Sequence, residues 1–185
     1  AGFQEDELDV NFSTNEKSTS NQTIYLPTPP NKIDRKTLDS LRGLSDSVAL
    51  KIRYHDEQLH KKHMPSGPEA RAVYEAVEKI RYESLGSNNL AGVAKNLNVV
   101  LNETYQARGY ESATEKTNSM LPDAVSLLVR ERLTGQSPPE CSDKMMKLWR
   151  NDIETKIGDK LKKIQDCSKD QKVFVDLVTE IINSF

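Results

Sequence analysis

The sequence of 185 residues lacks several features on which common functional classes depend. Its two cysteines, Cys141 and Cys167, are far apart and belong to no CxxC motif, which indicates free thiols in a reducing compartment. No apolar run approaches the roughly 18 residues that a membrane span requires, and no secretory signal peptide opens the sequence. The sequence therefore predicts a cytoplasmic protein without a membrane segment.

Neither sign of charge is in clear excess, because 26 basic residues stand against 28 acidic ones, for a net charge of −2. This balance argues against a nucleic-acid partner, which favours a basic stripe. None of the eight glycines opens a phosphate-binding loop of the type GxxxxGKS/T or GxGxxG, and no GxSxG motif is present. Neither cysteine has a histidine close to it in sequence. We therefore predict no catalytic residue and no bound cofactor.

The N-terminal arm, residues 1–36, is polar and differs in composition from the rest of the chain. Apolar residues alternate with polar ones over residues 8–12, and a second apolar run follows at residues 24–26. These two patches are candidates for a small β-hairpin. The proline-rich stretch 26–30 is expected to be extended, because residues that precede proline avoid the helical conformation.

Residues 37–185 change to the three- and four-residue spacing of amphipathic helices and form the second predicted unit, a helical interaction domain. About six helices with short connections predict an all-α bundle beside the extended arm. Five of these helices are, in order, Leu38 to Leu59, Leu90 to a stop at Gly109, Met120 to a stop at Gly135, a long helix that opens at residues 137–140 with Gly158 as a candidate bend, and a last helix that opens at residues 168–171.

The remaining helix, which is second in chain order, carries its own start and stop signals. Ser66 is placed to cap its N-terminus, and Glu69 completes a capping box three residues later. Gly86 stands where a left-handed C-terminal cap is favoured. The predicted helix therefore extends from residue 66 to residue 86.

A ladder of charged residues runs along this second helix. Glu75 and Lys79 can pair within the helix, as can Glu78 and Arg81, but such pairs stabilise a helix only slightly. The ladder is either a solvated face or a polar network in which arginines act as forked donors. The candidate residues of such a network or interface are Arg71, Glu78, Arg81 and Glu83.

The three histidines of the chain lie close together and suggest a metal site. On a continuing helix, Asp56, His60 and His63 share one face, and two imidazoles with one carboxylate could hold zinc or cobalt. The spacing is not that of HExxH, and Lys61 and Lys62 add positive charge. The alternative interpretation is the C-terminal end of a helix, where cations favour the negative pole of the dipole.

Many polar residues that helix periodicity does not require match one known family in collinear order. From about residue 8 to residue 185, the chain resembles the N-terminal region of the cobaltochelatase CobT subunit of aerobic cobalamin biosynthesis. The matching residues are Arg42, Gly43, Ala49, Leu50, His55, Asp56, His60, Gly67, residues 70–73 and 76–78, Arg81, Glu83, Gly86, residues 92–94, Asn96, Leu97, residues 108–110 and 128–135, and Trp149.

The resemblance implies a subunit of an ATP-dependent machine that inserts cobalt into hydrogenobyrinic acid a,c-diamide. In the family, the AAA+ subunit CobS hydrolyses ATP and the large subunit CobN holds the tetrapyrrole, so cobalt, ATP and magnesium belong to the whole complex. CobT-like chains end in a von Willebrand A domain with a DxSxS loop, which this sequence lacks. The resemblance therefore implies the N-terminal part of such a subunit.

From the residues and the resemblance together, we expect an interaction domain that docks on CobS or CobN and is not catalytic alone. Two alternatives stay open at this point. The first is a metal-binding or metal-delivery domain built on Asp56, His60 and His63. The second is a self-association module that forms a homo-oligomer through the apolar remainders of the third and sixth predicted helices.

Overall fold

The structure is a computed structural model that describes residues 9–13, 23–29 and 34–185. The described residues are mostly helical, which confirms the all-α class, and they contain one helix more than the six expected. Short 3-10 turns precede or follow several helices. The elements are β1 (Asp9–Ser13), β2 (Thr23–Pro27), α1 (Arg35–Tyr54), α2 (Glu57–Lys62), α3 (Pro68–Asn89), α4 (Ala91–Ala107), α5 (Leu121–Thr134), α6 (Asp143–Cys167) and α7 (Gln171–Ile182).

The two apolar patches of the arm pair with each other, but not as a hairpin. β1 and β2 run parallel, with Val10 opposite Ile24 and Phe12 opposite Leu26. The prediction of a hairpin was wrong in direction, because an alternating pattern is the same for parallel and antiparallel pairs. Ile24 is buried, whereas Val10 and Phe12 are exposed. Leu8 and Pro30 lie outside the described residues.

The first predicted helix is wrong in one respect, because it is broken near its C-terminal end. α1 ends at Tyr54, and Asp56 begins a new helix as the N-cap of α2. The Asp56 side chain accepts hydrogen bonds from the backbone N–H groups of Gln58 at 2.9 Å and Leu59 at 3.0 Å. Such a cap satisfies N–H groups that the helix itself cannot, so it favours a helix start at this position.

The boundaries predicted for the second helix were also wrong. Gly67, not Ser66, is the N-cap of α3, and no side chain caps this terminus. Gly86 does not end the helix but lies buried within it, and α3 continues to Asn89. A Cβ atom at Gly86 would lie 2.4 Å from the Leu50 side chain, so glycine is present because α1 packs closely on α3.

The other predicted helix ends are mostly confirmed. Gly109 and Gly135 have φ angles of 70° and 69° and follow α4 and α5, as expected for left-handed termini. Asp170 caps α7 through the backbone N–H groups of residues 172 and 173. Gly158 causes no break, because α6 is continuous over 25 residues. A 3-10 turn over residues 140–142 precedes α6 in place of the predicted helical start.

α3 is the central helix, and it packs against α1, α4, α5 and α7. The main core joins α3 to α5, α6 and α7 through fully buried side chains such as Val77, Leu128, Ile153 and Phe174. A smaller core of Leu50, Tyr82 and Leu97 joins α1 and α4 to the opposite side of α3. Among the described helices, none is long and apolar enough to cross a membrane.

Candidate functional site

Among the described residues, the most deeply buried charged side chain is that of Arg81, on the inward face of α3. Its side chain is 1% exposed. Nε and Nη2 each donate to the Glu78 carboxylate at 2.8 Å, one turn earlier on the same helix. Nη2 also donates to the Tyr54 carbonyl oxygen at 2.5 Å, and Nη1 donates to the Ser168 carbonyl oxygen at 3.2 Å. A single side chain therefore binds groups from three separate segments.

The two carbonyl groups that Arg81 binds are both at helix ends. Tyr54 is the last residue of α1, and Ser168 directly follows the last residue of α6. The final carbonyl groups of a helix lack intrahelical partners and carry the negative end of the helix dipole. A buried cation stabilises these carbonyl groups because it donates hydrogen bonds to them and because it offsets the negative end of the dipole. Arg81 thus fastens the C-termini of α1 and α6 to the middle of α3.

His55 adds an imidazole ring to this network at the junction between α1 and α2. Its Nδ1 lies 2.7 Å from Glu78 Oε1, and its Nε2 lies 3.2 Å from Glu57 Oε2. The ring thus lies between the buried Glu78 carboxylate and the more exposed Glu57 carboxylate.

The electrostatics of Glu78 follow from these contacts. Burial alone would raise the pKa of its carboxyl group, because it disfavours the charged form. Hydrogen bonds and positive charge from Arg81 and His55 outweigh burial and hold the pKa of Glu78 below its ordinary value. The carboxylate therefore remains ionised inside the protein, as the paired geometry requires.

Gln171 joins the same network from the first residue of α7. Its side-chain oxygen accepts hydrogen bonds from the Asp56 backbone N–H at 2.6 Å and from Arg81 at 3.1 Å. Its side-chain nitrogen donates to the Asp56 carbonyl oxygen at 3.0 Å. One amide therefore pairs with both backbone groups of Asp56. The α1–α2 junction and the α6–α7 junction are held together on α3.

His60 lies beside this network and is almost fully buried. Its ring stacks on Tyr74 at 4.6 Å and meets the edge of His55 at 4.7 Å. Burial, with a smaller effect from His55, lowers the pKa of His60. Its Nδ1 has no hydrogen-bond partner among the described residues. Burial raises the pKa of Tyr74 to about 12, and the Tyr74 hydroxyl donates to the His60 carbonyl oxygen at 3.2 Å.

A second buried charge, Asp123, holds the end of α4 against the start of α5. Its carboxylate accepts hydrogen bonds from the Arg108 guanidinium and from the Tyr110 hydroxyl. Arg108 and Tyr110 flank Gly109, whose left-handed backbone ends α4. Burial raises the pKa of Tyr110, so the phenol stays protonated and remains a donor.

Comparison of the chain with known protein families identifies one family. The family model described as cobalamin biosynthesis protein CobT matches residues 3–185. The chain belongs to the CobT family. No solved structure matches it.

Within this CobT-family chain, the residues predicted to form a polar network are placed in three different environments. Glu78 and Arg81 are brought together and buried. Arg71 lies on the exposed side of α3. Glu83 faces away from Arg81 and accepts a hydrogen bond of 2.5 Å from the Ser47 hydroxyl on α1. Burial raises the pKa of Glu83, although the Lys79 ammonium at 3.8 Å acts in the opposite direction.

The three residues considered for a metal site are placed in separate roles. The Asp56 carboxylate caps α2, His60 is buried against Tyr74, and His63 follows the last residue of α2 as its C-cap. Within the described ranges, no group of three or more histidine, cysteine, aspartate or glutamate side chains is arranged to hold a metal ion. The continuing helix on which the metal hypothesis depended is absent, because Asp56 and His63 are the two caps of the short α2 and lie outside its helical turns.

Sequence reasoning did not identify the roles of His55 and Gln171. In the sequence, His55 stands out only as a member of the histidine cluster and of the family resemblance. One local signal in the sequence indicates the helix start that places His55 at a junction. Aspartate is a favoured N-cap residue, and Asp56 precedes Leu59 by three positions. No local signal connects Gln171 with Asp56, which is 115 positions away in sequence.

Proposed function

We propose that this chain is the N-terminal interaction domain of a subunit of an ATP-dependent cobaltochelatase. The complex would insert cobalt, its substrate, into hydrogenobyrinic acid a,c-diamide in the cytoplasm. In this proposal the domain docks on the AAA+ subunit CobS or on the large subunit CobN. Its role is mechanical: it helps to pass ATP-driven motion to the site of metal insertion.

The observation that supports this role most directly is that the buried polar side chains bind other groups of the same chain. Arg81, Glu78 and His55 all bind other groups of the chain, including backbone groups at helix ends. Groups satisfied in this way act as a scaffold, since buried polar networks fix a unique arrangement when every member is paired. This arrangement favours a rigid body that positions a docking surface, and it does not favour a pocket that binds a ligand.

The network also couples distant parts of the domain. Arg81 and Gln171 connect the end of α1, the start of α2, the end of α6 and the start of α7. A displacement of one of these ends would break charge-assisted hydrogen bonds, which are roughly twice as strong as neutral ones. Force applied at one junction would therefore be carried to the other with little local deformation.

The test is a pull-down of purified CobS and CobN by the immobilised chain, with and without ATP. We expect at least one of the two subunits to be retained. An immobilised Arg81→Met variant should retain less of that subunit than the parent does, in proportion to the folded fraction of the variant. Circular dichroism measures this folded fraction on the same sample. Arg71→Met is the matched control for loss of one positive charge on α3. Retention of neither subunit by the folded parent chain would contradict the proposed function.

A further inference from the structure

The exposed side of α3 carries charges that alternate in sign at every fourth residue. Arg71, Glu75, Lys79 and Glu83 read positive, negative, positive, negative. On a helix, residues four apart share one stripe and are separated by about 6 Å along the axis. Arg71, Glu75 and Lys79 are exposed, and Glu83 is at the end of the stripe, where α1 begins to cover α3.

Two of the four charges in this stripe form no ion pair within the described chain. The side chains of Arg71 and Glu75 form no ion pair with another described residue. Lys79 and Glu83 are 3.8 Å apart, and Lys79 is half exposed. The Glu83 side chain is 13% exposed and has one hydrogen-bond donor, the Ser47 hydroxyl. A carboxylate with so little contact with water is better satisfied by a second, closer cation.

The shape of this side of α3 permits close approach by another helix. Ala72 and Ala76 lie beside the charged stripe and line a cleft of about 410 Å³ formed with α4 and the start of α5. Val100 and Leu101 form part of its α4 side and are half-buried. Small residues here leave room for a neighbouring backbone, and the apolar wall offers contact area beside the charges.

We propose that this face of α3 binds the same face of a second copy of the chain, with the two α3 helices antiparallel about a two-fold axis. In this arrangement Glu75 of each copy faces Lys79 of the other. Arg71 of each copy then reaches Glu83 of the other. All four positions of the stripe meet an opposite charge, and Glu83 gains a second cation besides Lys79.

The order of the charges favours a second copy of the chain as the binding partner of this face. Reversal of the order positive, negative, positive, negative gives the opposite sign at every position, so the stripe is complementary to itself when antiparallel. An in-register parallel copy would place like charges together. A two-fold interface needs this self-complementarity, because the same patch is used on both subunits. The inference does not depend on docking to other subunits.

Exposed ion pairs contribute little individually, so the association is expected to be weak and to weaken further as salt is added. The charges mainly fix the orientation of the two copies. Sedimentation velocity of the chain from about 5 to about 500 µM at low salt should therefore show a reversible monomer–dimer equilibrium.

Charge reversal provides the decisive test. In Glu75→Lys alone, lysine would face Lys79 of the other copy, and in Lys79→Glu alone, glutamate would face Glu75. Each single variant should raise the dimer dissociation constant at least about tenfold. An equimolar mixture of the two variants should dimerise again, because lysine at 75 then faces glutamate at 79. The double variant Glu75→Lys/Lys79→Glu should dimerise like the parent.

Matched controls change the net charge equally at another place. Glu180→Lys and Lys172→Glu lie on the exposed side of α7 and should leave the equilibrium unchanged. Circular dichroism of each variant checks that it is folded. A parent chain that stays monomeric over the whole range overturns the inference. So do single variants that dimerise like the parent, and so does a mixture that remains monomeric.

Discussion

The guanidinium of Arg81 lies 2.5 Å from the carbonyl oxygen of Tyr54, the last residue of α1. The same group binds the Ser168 carbonyl oxygen at the end of α6 and the buried Glu78 carboxylate. If the guanidinium is removed, the two helix-end carbonyl groups lose this donor, and the buried Glu78 carboxylate keeps only its contact with His55. The closure of the domain around α3 therefore depends on this side chain.

Arg81→Met is expected to lower the free energy of unfolding by about 3–5 kcal/mol, because it leaves the Glu78 charge buried without its main partner. Arg81→Lys should lower the free energy of unfolding by less, since lysine keeps the positive charge but cannot reproduce the planar fork of the guanidinium. Urea unfolding measures both. Arg71→Met, on the exposed side of the same helix, is the control and should change stability by less than about 0.5 kcal/mol. Equal stability of the two methionine variants would show that the network is not stabilising.

His60 should make the stability of the domain depend on pH. Its pKa is lowered in the folded protein by burial and by His55, whereas an unfolded histidine titrates near about 6.5. As the pH falls below the unfolded value, the unfolded chain binds the proton first, so folding loses stability until the folded pKa is reached. The loss is absent above the unfolded pKa.

His60→Phe removes this titration and the unpaired Nδ1 while it keeps the stack on Tyr74. We expect the variant to be at least as stable as the parent near neutral pH, with a shallower fall in Tm between about pH 7.5 and about pH 5.5. His63→Gln, just after α2, should keep the slope of the parent because His60 remains. An unchanged slope in His60→Phe would refute the assigned role of His60.

Two glycines within helices should respond in opposite ways to alanine. A Cβ at Gly43 on α1 would lie 2.4 Å from the backbone oxygen of Asn96 on α4, and a backbone atom cannot move aside cheaply. Gly43→Ala should therefore destabilise the domain by about 1–3 kcal/mol. A Cβ at Gly158 on α6 meets open space, so Gly158→Ala should stabilise it by about 0.5–1 kcal/mol. Thermal unfolding of both variants checks the pair, and a stabilising Gly43→Ala would contradict the close contact of α1 with α4.

Local signals were sufficient to predict several helix ends. Gly109 and Gly135 end α4 and α5 because a left-handed residue is needed there and only glycine adopts it without strain. Asp170 caps α7 through N–H groups two and three residues later. In each case the residue acts within one helical turn, so the sequence alone contains the information.

Contacts between helices could not be predicted in this way. Gly86 resembled a terminal cap in sequence, yet its role depends on Leu50 of α1. Gln171 pairs with Asp56 across 115 positions, and no periodic pattern marks either residue. Glu78 and Arg81 can be paired from sequence, because they are three positions apart on one helix. Their partners at Tyr54 and Ser168 depend on the packing of α1, α6 and α7.

The most direct test of the proposed docking is a fluorescence anisotropy titration of the labelled chain with CobS in its ATP-bound and ADP-bound states, and with CobN. A domain that passes on ATP-driven motion must bind the two nucleotide states differently, since a ligand shifts an equilibrium only through differential affinity. We predict saturable binding to CobS that differs between the two states, or saturable binding to CobN. Absence of saturable binding to both subunits would contradict the account.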